Sequence, residues 1–384
     1  MKSGRSLTAL AAELDRQTAT RKDFLAPSDR LTAVVADLHV PGVPDSAGAS
    51  GAHGSLALAG LNGDLFTLRP HAAGQIAQDL DIPKRYFDRL AASNPKLLAD
   101  NVNHWLKATP HGRLVRVLDG QVRGWLSPRY RPLDNYDLAE TALPIFQAKG
   151  ATIISAELTE LRLYIKATLP SLRAEFQDSR KVGQVVEAGV VVRNSEVGAG
   201  ALGIEPFALV LSCLNGAVFS ASLKKFHVGR AEGSEEIREL LTTEARQAAD
   251  RAFWLAARDV LASAFDEAVF RKNVGKLEAA TTRAIETTRI EQVVEVVTER
   301  FNIATDTLRG AILKRFVEGG DLTQFGISQA ITREAQEVES YDLASDLERI
   351  GGKVIELPTG QWKALAAGRA PEVGEIIDAE IVAA

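Results

Sequence analysis

The chain has 384 residues, a net charge of −5, 46% hydrophobic and 25% charged residues. That length suffices for a sizeable core and for two or three domains, and the composition is that of an ordinary globular protein. The acidic balance excludes indiscriminate whole-surface binding to nucleic acid, although not a local basic patch.

A single cysteine, Cys213, excludes an intramolecular disulfide and a cysteine-ligated zinc site. It fits a reducing cytoplasm. Lys2 and Arg5 precede an apolar run broken by Glu13 and Asp15, so no signal peptide is expected. No run approaches the roughly 18 apolar residues of a membrane span, so no membrane contact is expected either.

In chain order, residues 5–16 carry helical spacing (Leu7, Leu10, Ala11, Leu14) and predict a short arm or docking helix. Residues 45–54 are small and Gly-rich and predict a flexible loop. Asn62-Gly63, between the apolar runs 56–61 and 65–68, predicts a type I′ hairpin. Residues 70–107 predict helix in pieces, broken at Pro83 and Pro95. Asp119-Gly120 predicts a second hairpin, between 114–118 and 122–126. Asp134 or Asn135 is placed to cap a helix that ends near Gly150.

From 151 to about 228 the pattern turns to strand. Leu161, Leu163, Ile165, Ala167 and Leu169 alternate with Arg162, Tyr164, Lys166 and Thr168, which predicts the first set inward and the second outward. Further strands are expected over 185–193, 202–215 and 218–228. After Gly233-Ser234 the chain reads as helix. Ser234 is a candidate cap, Glu235 and Glu236 lie in the first turn, and Ile237, Leu241, Ala245, Ala248, Ala252 and Leu255 form an apolar stripe. Helices continue to Arg349, with stops at Gly319-Gly320 and Gly351-Gly352 and a short strand over 354–357. The expected class is α+β: a mostly antiparallel sheet flanked by helices, with a helical C-terminal region. The expected division is an arm and loop over 1–54, a core over 55–232, a helical region over 233–367 and a loose tail over 368–384.

Several motifs invite chemistry and fail on context. Gly198-Ala-Gly-Ala-Leu-Gly203 has the letters of a dinucleotide fingerprint, but a true one opens a helix. Here Pro206 and an alternating strand follow, and Lys224 and Lys225 stand where an acidic residue belongs, so the run predicts a connection between strands. Gly351-Gly-Lys353 lacks the upstream glycine and the following Ser or Thr of a phosphate loop. The six histidines have no helical ligand spacing, so no metal site and no cofactor are expected. Cys213 shares a strand face with Phe207, Leu209 and Leu211 and predicts a core thiol.

The remaining candidate is a basic cluster interleaved with aromatics: Lys107, Arg113, Arg116, Arg123, Trp125, Arg129, Tyr130 and Arg131, extended by Arg162, Tyr164 and Lys166 on the alternating strand. Guanidinium groups grip phosphates, and flat rings stack on unpaired bases, so the set predicts a contact for single-stranded nucleic acid. A solvated basic face with Trp125 partly in the core explains the same residues. Asn194, Ser195, Glu196 and Asn215 follow β-branched runs and read as turn and bulge residues, or as the functional edge of a sheet.

Some of these segments carry a resemblance. Gly124-Trp-Leu-Ser-Pro-Arg-Tyr-Arg-Pro-Leu-Asp-Asn135, Asn194-Ser-Glu-Val-Gly198, Cys213-Leu-Asn-Gly216, Ile82-Pro-Lys-Arg-Tyr-Phe87 and Asn101-Val-Asn-His-Trp105 resemble the phage/plasmid-like family that shares domain of unknown function 932, over residues 60–350. The resemblance implies a mobile element in a bacterial host and transfers no mechanism. With the basic cluster it leads to an expected nucleic-acid-binding protein of phage or plasmid DNA metabolism, in single-strand binding or annealing during recombination. The order of strands then helix is similar to that of phage annealing proteins, which assemble as rings, so a homo-oligomer is expected. The alternatives are an enzyme acting on a phosphorylated or nucleotide substrate through Asn194, Ser195, Glu196 and the basic residues, or a host-takeover or anti-defence interaction protein.

Overall fold

The structure is a computed structural model that describes residues 1–36, 55–60, 62–131, 133–177, 183–220, 223–225, 243–285, 289–303 and 305–369. The expected loop over 45–54, the cap at Ser234 with its acidic first turn, and all but the first residues of the expected tail lie outside these residues. Within them the class is α+β: two antiparallel-dominated sheets and twelve α-helices. No helix among the described residues is long and apolar enough to cross a membrane.

The first sheet holds β1 (Arg21–Pro27), β2 (Thr32–Ala36), β3 (Ser55–Ala59), β4 (Leu65–Leu68), β5 (Gly112–Leu118) and β6 (Gln121–Leu126), in the order β1-β5-β6-β4-β3-β2. The first two strands lie in the stretch expected to be arm and loop, so residues 21–36 belong with this sheet. Both expected hairpins form. Asp119 and Gly120 both take positive φ (53° and 74°), as a type I′ turn requires. At Asn62-Gly63 only the glycine does (78°), and Gly60 donates to the Asp64 carbonyl, so this turn is longer than expected. Helices α2 (Pro70–Asp79), α3 (Lys84–Ser93) and α4 (Pro95–Ala108) cover one sheet face. They break at the two prolines because Pro fits a helix start but not its interior. Their apolar stripes (Ala72, Ile76, Phe87, Leu90, Leu98, Val102, Leu106) enclose one core with Val115, Val117, Val122 and Trp125.

The second sheet runs β11-β10-β9-β8-β7, built from β7 (Thr152–Leu158), β8 (Leu163–Glu175), β9 (Val185–Asn194), β10 (Leu202–Val210) and β11 (Asn215–Val218). Strand β12 (Leu223–Lys225) also pairs with β10. The glycine run links β9 to β10, with Leu202 and Gly203 already the first residues of β10, and opens no helix, as read from Pro206. The Leu163, Ile165, Ala167 face is buried under α1 (Leu7–Thr20, capped by Ser6), α5 (Asn135–Lys149, closed by Gly150 at φ 69°) and α6 (Thr243–Ser263).

The opposite face departs from the expectation. Arg162, Tyr164, Lys166 and Thr168 do not point to solvent; they are 6%, 1%, 0% and 1% exposed. A second helical layer lies over them. It belongs to the run α7 (Glu267–Thr282), α8 (Ile290–Arg300), α9 (Asp306–Gly319), α10 (Gln324–Glu334), α11 (Tyr341–Ile355) and α12 (Thr359–Ala366). Gly320 stops α9 as expected (φ 64°). Gly351 and Gly352 do not stop α11, which continues to Ile355, and no strand forms over 354–357. A Cβ at Gly352 would fall 1.8 Å from the Val218 carbonyl oxygen, so Gly352 lets the helix backbone lie directly on β11, while Gly351, whose Cβ would fall 2.3 Å from Thr332 Cγ2, lets it lie on α10.

Candidate nucleic-acid interface

The cations of the basic cluster are mostly spent inside the protein. The register of β1 and β5 sets Asp23 beside Arg116, while on the other flank the β6 partner is Gly124. A Cβ at Gly124 would stand 3.5 Å from the Val197 Cα and 3.6 Å from the Arg116 Cβ, so the 195–198 loop passes close over this position. Arg116 is 0% exposed. It donates to Asp23 (2.7 Å), to Asp134 (3.0 Å) and to the Glu196 carbonyl (2.9 Å). Burial alone would push the Asp134 carboxyl up, but Arg116 and Arg21 outweigh it and hold the group below the ordinary carboxylate range. Arg123 pairs with Glu196 (2.6 Å) and both are buried. Arg113 pairs with Asp79, and Arg131 with Asp250.

The aromatics are equally committed. Trp125, 3% exposed, sits in the first core and donates its indole N–H to Asp79 (2.8 Å). Tyr130 packs on Leu114 and Leu126 and donates to the Ser195 carbonyl (2.8 Å); burial pushes its hydroxyl pKa well up. The expectation that Arg123 faces solvent and that Trp125 and Tyr130 stack on a ligand is therefore corrected. The alternating pattern was read as half-buried, whereas both sheet faces are covered. Tyr164 donates to Asp342 (2.8 Å) and Lys166 to Glu348 (2.6 Å). From the sequence-predicted cluster only Lys107 and Arg129 stay exposed.

The polar quartet builds turns and joints. Ser195 Oγ accepts from the N–H groups of Val197 and Ala199. Asn194 donates to the Leu133 carbonyl (2.6 Å) and to Asn135 (2.9 Å). Glu196 has both oxygens engaged: Oε2 by Arg123, and Oε1 by the Asn135 N–H (2.6 Å) at the start of α5, where a helix N-terminus favours an anion. Asn215 is tied to Gln329 and Gln336. An open cavity of about 520 Å³ lies between α5 and α6, lined by Asp137, Glu140, Thr141, Asp250, Arg251 and Trp254. Its three carboxylates repel phosphate. Among the described residues no group of His, Cys, Asp and Glu has metal-site geometry.

What the cluster lacks, helices α3 and α4 possess. Tyr86 and Trp105 are 43% and 45% exposed, in a fold whose other large aromatics are mostly covered. Between residues 82 and 107 stand five cations (Lys84, Arg85, Arg89, Lys96, Lys107) against two carboxylates, Asp88 and Asp100. Lys84 is paired with Asp88. Arg85 and Arg89 lie one turn apart on α3 beside Tyr86, all exposed. On α4 the exposed Leu97, His104 and Trp105 share one face, and the His104 and Trp105 rings meet edge to face at 4.9 Å. The signal was present in the sequence as Tyr86 and Trp105 within two of the quoted segments. Helical pieces over 70–107 do not by themselves say which side chains face out, so the sequence reading did not single these residues out.

No family model, curated protein or solved structure matches the chain.

Proposed function

We propose that the chain binds single-stranded nucleic acid through the exposed face of α3 and α4, as a component of phage or plasmid DNA metabolism that coats or anneals single strands. The observation that carries this reading is Trp105, half in water beside His104 on α4; Tyr86, Arg85 and Arg89 on α3 and Lys96 and Lys107 on α4 are exposed as well. A surface Trp gains nothing by exposure and offers a π-face to any base, while the cations answer the phosphates without base selectivity. The resemblance to the phage/plasmid-like family is in keeping with this role, as is a cytoplasmic homo-oligomer that repeats the face along a strand. The buried arginines of β5 and β6 have no part in it.

Titration of the chain with a fluorescent oligothymidylate tests the reading. Affinity should fall steeply with salt, each phosphate contact adding roughly 0.7 to the slope. Trp105→Ala should lose about 1–3 kcal/mol of binding while the melting temperature stays nearly unchanged. Unaltered binding by Trp105→Ala, or affinity indifferent to salt, overturns the assignment.

A further inference from the structure

The covered face of the second sheet carries a charge pattern that its cover matches. Arg162, just ahead of β8, and Tyr164 and Lys166 on β8 present a cation, a ring and a cation at period two, with Arg193 on the neighbouring β9. Against them α11 sets Asp342, Asp346 and Glu348. Asp342 takes Tyr164 (2.8 Å) and Arg162 (3.4 Å); Glu348 takes Lys166 (2.6 Å). Arg349 and Arg193 share Glu205 on β10.

Three further observations mark this contact as a seam between separately built parts. First, the apolar side of α11 (Ala344, Leu347, Val354) belongs to a core made solely of residues 285–366. Helices α8–α12 thus have a core of their own, while α7, Phe325 and Ile355 share one with the sheet. Second, the seam is imperfectly matched. Glu348 Oε1 and Ser345 Oγ are buried without a hydrogen-bond partner, two of eight such side-chain atoms among the described residues. Third, the apolar attachment is at one end, where Phe325 and Ile355 pack with Phe176, Val186, Ala208 and Val210. The other end carries one ring contact, Tyr341 on Tyr164 (centroids 5.3 Å), with the Lys166 ammonium over the Tyr341 ring, and is otherwise held by polar ties. Tyr341 meets Ser155 (2.6 Å), Ser155 donates to the Lys2 carbonyl (2.9 Å), and Lys2 Nζ donates to the Val338 carbonyl (2.6 Å). Buried ion pairs add little net stability compared with apolar packing. A polar seam also parts into water at lower cost than an apolar one, because both faces are rehydrated.

We infer that the Arg162–Tyr164–Lys166 face is a second binding face for single-stranded nucleic acid, which α11 covers with carboxylates standing where phosphates would sit, and which opens as α11 pivots about its apolar end. The inference rests on the nucleic-acid reading above. The first face captures the strand without rearrangement; the second admits it once the acidic helix has been displaced. The ligand shifts the equilibrium because it binds the open form alone.

Hydrogen exchange on the full chain, with and without saturating oligothymidylate at low salt, tests this. The expected result is faster exchange over residues 341–350 and slower exchange over 163–168 in the bound state. A second arm uses Asp342→Asn with Glu348→Gln, which removes the competing carboxylates and keeps their shape. The double variant should bind at least about tenfold tighter, with far-UV circular dichroism unchanged. Protection over α3 and α4 with unchanged exchange in α11 and β8 overturns the second face and leaves the first standing. So does a folded double variant of unaltered affinity. Should that variant fail to fold, the exchange result on the unsubstituted chain decides. Absence of any binding at low salt overturns both.

Discussion

Arg116→Met removes the charge at the junction of the two sheets and keeps most of the side-chain stem. Arg116 is fully buried, and its partners Asp23 and Asp134 are 24% and 18% exposed at the side chain. Without it Asp23 loses its cation, Asp134 retains only Arg21, and the Glu196 carbonyl loses a donor. Removing one partner of a buried pair costs about 3–5 kcal/mol, and the residual exposure of the carboxylates argues for the lower end. Adding Asp23→Asn and Asp134→Asn should restore much of the loss, since the penalty is that of stranded charge.

The pH dependence has a definite sign. In the unsubstituted chain the lowered pKa of Asp134 contributes stability that is present above about pH 4 and lost as pH falls through the lowered value. In Arg116→Met the effect of burial is less opposed, so the native pKa rises and acid favours the native state. The deficit of the variant should therefore narrow between neutral pH and about pH 4. Urea unfolding followed by circular dichroism and Trp fluorescence at both pH values measures it. A single variant as stable as the original, a triple variant no better than the single, or a deficit that widens in acid would refute the reasoning.

Gly352→Ala should cost about 1–3 kcal/mol or more, as overpacking does, because its methyl meets the Val218 carbonyl oxygen at 1.8 Å; an unchanged urea midpoint would show that α11 shifts freely. Asp346→Asn should raise the melting temperature at neutral pH. Burial, with Asp342 nearby, outweighs Arg162, Arg349 and Arg193 and raises the Asp346 pKa, so its contribution is present in acid and lost as pH rises through the raised value. The gain should shrink towards pH 4, and a gain that grows in acid contradicts the sign. Dinucleotides should give no thermal shift, since Gly198–Gly203 joins two strands; a native-state ligand at a hundred times its dissociation constant would add about 2.7 kcal/mol, so a saturable shift with NAD would overturn that reading.

Local features proved legible wherever one residue type satisfies one backbone demand. Asp119-Gly120 turned as expected because two positive φ values leave few choices. Gly150 and Gly320 ended their helices for the same reason. The inward set Leu163, Ile165, Ala167 was equally plain from its period. The outward set was not, because alternation separates apolar from polar and cannot distinguish water from a helix some 180 residues away whose own polar side faces in. Gly351-Gly352 misled for a related reason. In sequence a glycine pair weakens a helix; in the fold Gly352 lets α11 lie on β11 and Gly351 lets it lie on α10. Strand β1, Arg21–Pro27, shows a burial pattern with one fully buried residue, so no alternation announced it.

The segments that stood out in the sequence, 113–135 and 194–216, stand out because they weld the two sheets together. Tyr130 reaches the Ser195 carbonyl, Asn194 reaches Leu133 and Asn135, Glu196 reaches Arg123 and the first turn of α5, and His71 and Gln75 both contact the Val197 carbonyl. Each link joins polar groups that water would otherwise hold, and each demands a particular side chain at a particular place. Such a joint looks, in one dimension, like a binding site: arginines, aromatics and amides at short spacing. The distinction is in three dimensions and is a matter of commitment. Arg116 and Arg123 are held by carboxylates of the joint itself (Asp23, Asp134 and Glu196) and have nothing left for a ligand, whereas Arg85, Arg89, Lys96 and Lys107 form no ion pair among the described residues and are exposed. The chemistry expected of the hairpin belongs on the helices beside it.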